Sequence, residues 1–281
     1  MEEKHQMDEF AERRAEFARL HQSGCFVIPN PWDVGSARYL RHLGFRALAT
    51  TSAGFQFSQG LADTVWGTPR EAVLGHIAGI VGATALPVNA DFQSGYAHDP
   101  EGVAGSVRLC VQTGVAGLSI EDATGAETPL YELPMAVERI KAARAAIDAT
   151  GAQVLLTGRA ESYLVGHPKP LKDVLERLVA YAEAGADVLY APGPRTREDI
   201  GQIVRAVAPK PVNVLVGGDV GLRVGDLAEL GVRRVSVGSG LARVAWGAFI
   251  RAAKALADEG SFQGFDGAAS FAELNAVFAA D

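Results

Sequence analysis

Short apolar runs alternate with longer stretches of helical spacing along nearly the whole chain. Five times a helix-like stretch stops at a Gly and an apolar strand follows. These junctions are Gly44 before Arg46-Ala47-Leu48, Gly114 before Leu118-Ser119-Ile120, and Gly151 before Val154-Leu155-Leu156. The other two are Gly185 before Val188-Leu189-Tyr190 and Gly231 before Val235-Ser236-Val237. Glycine just past a helix accepts the left-handed backbone that ends it, so each marks a helix-to-strand junction. Phe26-Val27-Ile28, Pro87-Val88-Asn89-Ala90 and Pro211-Val212-Asn213-Val214-Leu215 bring the strands to eight. Apolar spacing predicts helices over 33–43, 69–81, 100–113, 133–149, 171–184, 196–208, 222–230 and 241–257. Thr68-Pro69, Asp99-Pro100, and Thr196 three residues ahead of Asp199 read as helix starts.

Eight strands alternating with eight helices over 281 residues predict an α/β fold, a (β/α)8 TIM barrel rather than an open sheet. No Pro/Ser/Gly-rich linker divides the chain, so residues 1–281 are read as one barrel domain. Residues 8–22 (Asp8, Phe10, Phe17, Leu20) form an extra amphipathic helix expected to close the barrel's bottom. The C-terminal helices of 241–281 include a second apolar segment within 261–281 (Phe271, Leu274, Val277, Phe278), which must pack on this chain or on a partner.

Composition narrows the function classes. With 26 Lys+Arg against 33 Asp+Glu the net charge is −7, and no basic cluster exceeds a pair, which argues against nucleic acid or an anionic membrane as partner. No run approaches the ~20 apolar residues of a membrane helix, and Met1-Glu2-Glu3-Lys4-His5 does not open a signal peptide. Cys25 and Cys110 stand in no metal-ligand spacing, so a disulfide-free cytoplasmic enzyme is expected.

In a TIM barrel the chemistry lies at the C-terminal ends of the strands, and here these are polar: Asn30-Pro31-Trp32-Asp33, Thr50-Thr51-Ser52-Ala53-Gly54, Asn89-Ala90-Asp91, Glu121-Asp122 and Arg159-Ala160-Glu161. Asp91, Glu121 and Asp63 are expected to converge on one cation, since carboxylates forced into one barrel mouth would otherwise repel. Oxygen ligands without a His or Cys cluster suit Mg²⁺, with Mn²⁺ as the alternative. Arg159 then offers a fixed fork to a substrate carboxylate or oxyanion. The Ser/Thr run at Thr51 and Ser52 offers hydroxyls and backbone N–H groups to a carboxylate. A small 2-oxo or dicarboxylic acid follows as the ligand. Gly217-Gly218 and Gly238-Ser239-Gly240 read either as tight turns or as a phosphate site.

From about Asn30 to Val237 the chain resembles the isocitrate lyase/phosphoenolpyruvate mutase superfamily. The likeness is carried by Asn30-Pro31-Trp32-Asp33-Val34-Gly35-Ser36-Ala37-Arg38, by Gly44-Phe45 leading to Thr51-Ser52, and by Asn89-Ala90-Asp91 with Gly95-Tyr96, similar to the family's D-A-D-T-G-Y-G. Val115-Ala116-Gly117-Leu118-Ser119-Ile120-Glu121-Asp122 is similar to its G-V-A-G-x-x-x-E-D, and Arg159-Ala160-Glu161 to its A-R-x-[DE]. The resemblance implies a Mg²⁺-dependent barrel that stabilises an enolate of a 2-oxo acid, in helix-swapped homodimers paired into homotetramers. Arg159, Glu121, Thr51 and Ser52 are then the expected catalytic residues. Trp32, Asp33, Ala53, Asn89 and Asn213 join Thr51, Ser52 and Arg159 around the substrate.

The chain also departs from the family. Where its lyases carry K-K-C-G-H with the Cys as general acid, this sequence reads Ala123-Thr124-Gly125-Ala126-Glu127-Thr128-Pro129-Leu130. The sixth strand ends Tyr190-Ala191-Pro192, without the mutases' His, and Asn89 replaces the first Asp of D-A-D. Loss of CO₂ needs no acid for its leaving group, so oxaloacetate-type decarboxylation is the expected reaction. A phosphonate mutase or phosphonopyruvate hydrolase, and a non-catalytic 2-oxo acid binder, are the alternatives. Residues 123–132 are expected to form a mobile gate, with Glu127 and Tyr131 as the replacements for the missing acid.

Overall fold

The computed structural model describes residues 2–279; Met1, Ala280 and Asp281, the ends of the expected domain, lie outside the described residues. Eight parallel strands form one sheet in the order β1-β8-β7-β6-β5-β4-β3-β2. They are β1 Phe26–Ile28, β2 Leu48–Ala49, β3 Val88–Asp91, β4 Gly117–Glu121, β5 Leu155–Arg159, β6 Val188–Tyr190, β7 Val212–Leu215 and β8 Arg234–Ser236. The Ala49 N–H donates to the Pro29 carbonyl over 3.0 Å and draws β2 against β1, where the ladder is interrupted. This is the expected barrel.

Alternating strand residues point inward, and the others meet the surrounding helices. Outward-facing Leu118, Ile120, Leu156, Leu189, Val212, Val214 and Val235 pack in one cluster with helix residues such as Val103, Val107, Ile140, Leu178 and Ile203. The helices are α1 Glu2–Leu20, α2 Val34–His42, α3 Ser52–Ser58, α4 Arg70–Gly82, α5 Pro100–Gln112, α6 Leu133–Ala149 and α7 Pro170–Glu183. They continue with α8 Arg197–Val207, α9 Val224–Glu229, α10 Gly240–Glu259 and α11 Phe271–Phe278, and a single 3₁₀ turn covers Gln263–Phe265. All five predicted junction glycines have positive φ, from +70° at Gly151 to +104° at Gly185.

A second apolar cluster forms the barrel's floor: Phe17 and Leu20 of α1 against Ile28, Ala47, Ala49 and Ala116. Phe17 is wholly buried, so Phe17→Ala should cost about 3–5 kcal/mol. The N-terminal helix therefore closes the bottom, as its amphipathic spacing predicts. Three details differ from expectation. Thr51 caps α3 by accepting from the Gly54 N–H over 3.2 Å, so the Ser/Thr run starts a helix rather than ending a strand. Pro69, not Thr68, is the cap residue of α4. The eighth strand begins at Arg234 rather than Val235, which brings a guanidinium into the barrel.

Candidate active site

At the C-terminal ends of the strands a cavity of about 180 Å³ opens into the barrel, smaller than the roughly 300–1,000 Å³ of drug-sized pockets. Of the residues picked out in the sequence, Thr51, Ser52, Ala53, Asp63, Asn89, Asp91, Arg159 and Asn213 line it. Trp32, Asp33, Glu121, Glu127 and Tyr131 do not. Ser119, Tyr190, Arg234 and Ser236 line it as well, and the sequence reading passed over them. Their signal was the period of two within each strand, which points Arg234 and Ser236 inward on either side of Val235.

Arg159, at the end of β5, organises the site. Its Nη1 lies 3.2 Å from Asp91 Oδ1 and 3.1 Å from Glu121 Oε2, and its Nε donates to Glu161 Oε1. The Tyr190 ring lies 5.1 Å from the guanidinium carbon. Burial opposes the charge, but Glu121, Glu161, Tyr190 and Asp91 hold the guanidinium well above its ordinary pKa. Nε and Nη1 are spent on carboxylates, and among the described residues nothing accepts from Nη2. Asp91 is itself fixed: its Oδ2 accepts from the Ser52 N–H and the Ser52 hydroxyl, both over 2.9 Å, and its N–H donates to Thr50 Oγ1 over 2.9 Å.

The carboxylates here are crowded. Burial, reinforced by Glu161, Asp91 and Asp122, raises Glu121 well above the usual carboxyl range despite Arg159. Burial likewise raises Glu161. Burial, then repulsion from Asp91, raises Asp63. Asp63, Asp91, Glu121 and Glu161 thus crowd around Arg159, a repulsion that a divalent cation would relieve.

The donor set fits a hard ion, in a sparser form than expected. Among the described residues no three His, Cys or carboxylate side chains converge tightly enough to enclose a metal. Glu121 faces Arg159 because the two are register partners on β4 and β5. This places it behind the guanidinium, outside the cavity. Asp91 and Asp63 remain on the cavity wall, and nothing among the described residues donates a hydrogen bond to Asp63. Two carboxylates completed by waters and substrate oxygens are the usual surroundings of Mg²⁺.

The other predicted residues have structural occupations. Exposed Asp33 caps α2, its Oδ1 accepting the Ser36 N–H over 2.7 Å while the Ser36 hydroxyl accepts the Asp33 N–H. Trp32 packs beside Gly54, where an added Cβ would stand 3.0 Å from its own. Residues 123–130 form a small hairpin: Ala123 bridges Leu130, the Thr124 N–H donates to Pro129 O over 3.0 Å, and Trp66 Nε1 donates to Thr124 O over 2.7 Å. Glu127 lies exposed in this hairpin. Tyr131 donates to or accepts from His98 Nδ1 over 2.7 Å and covers the Arg139 guanidinium at 4.0 Å. The Val237 and Gly238 N–H groups both donate to Asn30 Oδ1 over 2.9 Å, so this glycine turn is occupied by the protein itself.

Behind the cavity, Asp122 locks the frame. It accepts the Glu161 N–H over 2.8 Å, the Tyr181 hydroxyl over 2.5 Å and Arg177 Nη1 over 3.2 Å. Among the described residues no helix is long and apolar enough to cross a membrane.

This architecture has known counterparts. A protein from Burkholderia cenocepacia J2315, described provisionally as a lyase/mutase, is 47% identical with a TM-score of 0.91, over 97% of this chain and 98% of that one. The 2-methylisocitrate lyase of Escherichia coli K12 is 31% identical over 179 residues, 62% of this chain and 59% of the enzyme. An oxaloacetate decarboxylase of Rhodopseudomonas palustris CGA009 is 31% identical over 163 residues, 55% of this chain and 52% of the enzyme. The phosphoenolpyruvate phosphomutase family profile matches residues 17–257. The chain therefore belongs to the phosphoenolpyruvate mutase/isocitrate lyase superfamily.

Proposed function

We propose that this protein is a Mg²⁺-dependent carbon–carbon lyase of the decarboxylase type, acting on a small 2-oxo dicarboxylic acid through an enolate. One observation carries the reading. Arg159 lines the cavity and is held there by three carboxylates, while the hairpin of 123–130 brings no acid to it.

Asp91 and Asp63 would hold the ion, with Ser52 fixing the Asp91 carboxylate. When bound, Mg²⁺ supplies Lewis-acid polarisation of the 2-oxo group. Arg159 Nη2 donates to the oxygen on which negative charge grows as the carbon–carbon bond breaks. Its other nitrogens are already fixed, so it needs little reorganisation at that moment. The departing carboxylate leaves as CO₂ without a proton, and the enolate that remains takes its proton at carbon from water. The absence of a Cys in the hairpin is therefore compatible with this cleavage, and not with one that must protonate a leaving group there.

The test is a substrate panel with Mg²⁺. Release of CO₂ from oxaloacetate, abolished by EDTA and restored by Mg²⁺ or Mn²⁺, is the expected result. Turnover of phosphonopyruvate with oxaloacetate untouched would replace the reading with a mutase or hydrolase. Metal-dependent binding of 2-oxo acids without turnover would make the protein a binder.

A further inference from the structure

The interior of a TIM barrel is ordinarily packed with branched apolar side chains. Here Asn89, Ser119, Thr157, Asn213 and Arg234 occupy inward positions on β3, β4, β5, β7 and β8, and all are buried. Arg234 is 3% exposed and lines the deep part of the cavity. Its Nε donates to Asn213 Oδ1 over 2.9 Å and its Nη2 to Thr157 Oγ1 over 3.1 Å. Asn213 is held in turn by donating to Ser236 Oγ over 2.9 Å. Nη1 makes only long contacts, 3.4 Å to Asn89 Oδ1 and 3.5 Å to His21 Nε2.

Every one of these partners is uncharged. His21 sits against the guanidinium from below and is kept neutral by burial and by Arg234 itself. Arg159, the other cation of the cavity, is matched by Asp91, Glu121 and Glu161. Arg234 is thus a positive charge removed from water without a counter-charge, a costly arrangement unless an anion arrives to share it. A lone apolar side chain would fill the same place without that penalty.

We propose that Arg234 is a second anion subsite, deep in the barrel, that receives one carboxylate of a small dicarboxylate whose other end lies at Arg159. The guanidinium, whose contacts are all to neutral groups, is the donor it offers, and Asn213 sets the direction of the fork. This deepens the decarboxylase reading and rests on it for the class of acid. It adds the discrimination: a monocarboxylate of the same length leaves the buried charge unmatched, and a neutral end group would meet an unsatisfied donor.

Malate and 2-hydroxybutyrate differ by the second carboxylate, and their affinities measured by calorimetry with Mg²⁺ test the subsite. Malate should bind the wild-type protein at least about tenfold more tightly, and Arg234→Met should bring the ratio to near one without weakening 2-hydroxybutyrate. Should Arg234→Met fail to fold, the Nε–H resonance of Arg234 in the wild-type protein, assigned with Arg234→Lys, decides: malate should shift it and 2-hydroxybutyrate should not. A ratio that survives in Arg234→Met, an Nε–H resonance indifferent to malate, or no binding of malate overturns the proposal. Oxaloacetate turnover on the same preparations judges the decarboxylase reading separately. No turnover, with the affinity ratio present in wild type and lost in Arg234→Met, overturns that reading and upholds the subsite.

Discussion

Ser52 donates both its backbone N–H and its hydroxyl to one oxygen of Asp91, each over 2.9 Å, and so turns the other oxygen to Arg159. The first turn of α3 is thus built around a carboxylate of β3. Asp91→Ala should leave the barrel folded and cost at least about 100-fold in metal affinity, the upper range seen when groups that merely support a ligand are lost. Titration with Mn²⁺ measures this, and unchanged affinity would remove Asp91 from the metal site.

Arg159→Lys should lower kcat/KM by on the order of 10²-fold or more, because an ammonium cannot hold three carboxylates and still present a fixed donor. Steady-state kinetics on the natural reaction checks it. Near-normal values would make the residue a structural clamp.

The hairpin of 123–130 is tied through Trp66 to the segment that carries Asp63, so its position and that of a cavity wall are coupled. Shortening the hairpin should reduce turnover far more than Glu127→Gln does. If Glu127→Gln alone abolishes activity, the hairpin contributes a general acid and retro-aldol cleavage displaces decarboxylation.

Along the twenty residues of α10 only Ala242 is buried, while Val244 is 71% and Phe249 60% exposed. The following α11 turns back onto α2, where Tyr39 donates to Glu273 over 3.0 Å, and leaves that apolar face uncovered. A second copy of this chain is the expected cover. Sedimentation should show a dimer or tetramer that Val244→Asp with Phe249→Asp dissociates; an unchanged mass in the double variant would place the interface elsewhere.

Two imidazoles, buried His21 and half-buried His76, set an acid limit. Burial, with Arg234 adding to it, lowers His21 to about 3, and burial lowers His76, stacked on Phe55 at 4.0 Å, to about 4. The unfolded chain protonates both near 6.5, so between that value and the folded ones it binds more protons than the folded state. Their contribution is complete above about pH 6.5 and is lost as pH falls, by up to about 2 kcal/mol for His21 at about pH 5 and less for half-buried His76. Urea unfolding at the two pH values measures the loss, and His21→Gln should flatten it. An equally steep decline in that variant would assign the acid limit to other groups.

The barrel was legible in the chain because its junctions are local: each Gly that ends a helix does so through its own φ. The cavity was legible in part, since strand ends are where polar residues collect. Pairing across strands was not. Glu121 and Arg159 each occupy a strand end, but that their side-by-side register makes them ion-pair partners could not be read from either strand alone. Asp33 carried its own warning, because Asp followed three residues later by Ser also spells a helix cap. Arg234 escaped notice as half of an Arg-Arg pair, since a charge within a short strand reads as a boundary until its inward neighbours are known.

Asn30 gives the rim of the cavity an unusual mechanical dependence. Its amide nitrogen holds the Thr50 carbonyl over 2.9 Å, while its oxygen holds the Val237 and Gly238 N–H groups, also over 2.9 Å. One side chain thus bolts the ends of β2 and β8 together across the place where the ladder between β1 and β2 is interrupted. Asn30→Asp keeps the two bonds to the β8 turn and sets an oxygen against the Thr50 carbonyl, so it releases one side of the hoop alone. The chain from Thr50 to Ala53 would then swing away with the freed edge. Amide exchange at Ala49, whose N–H spans the same gap, would report how wide the hoop stands.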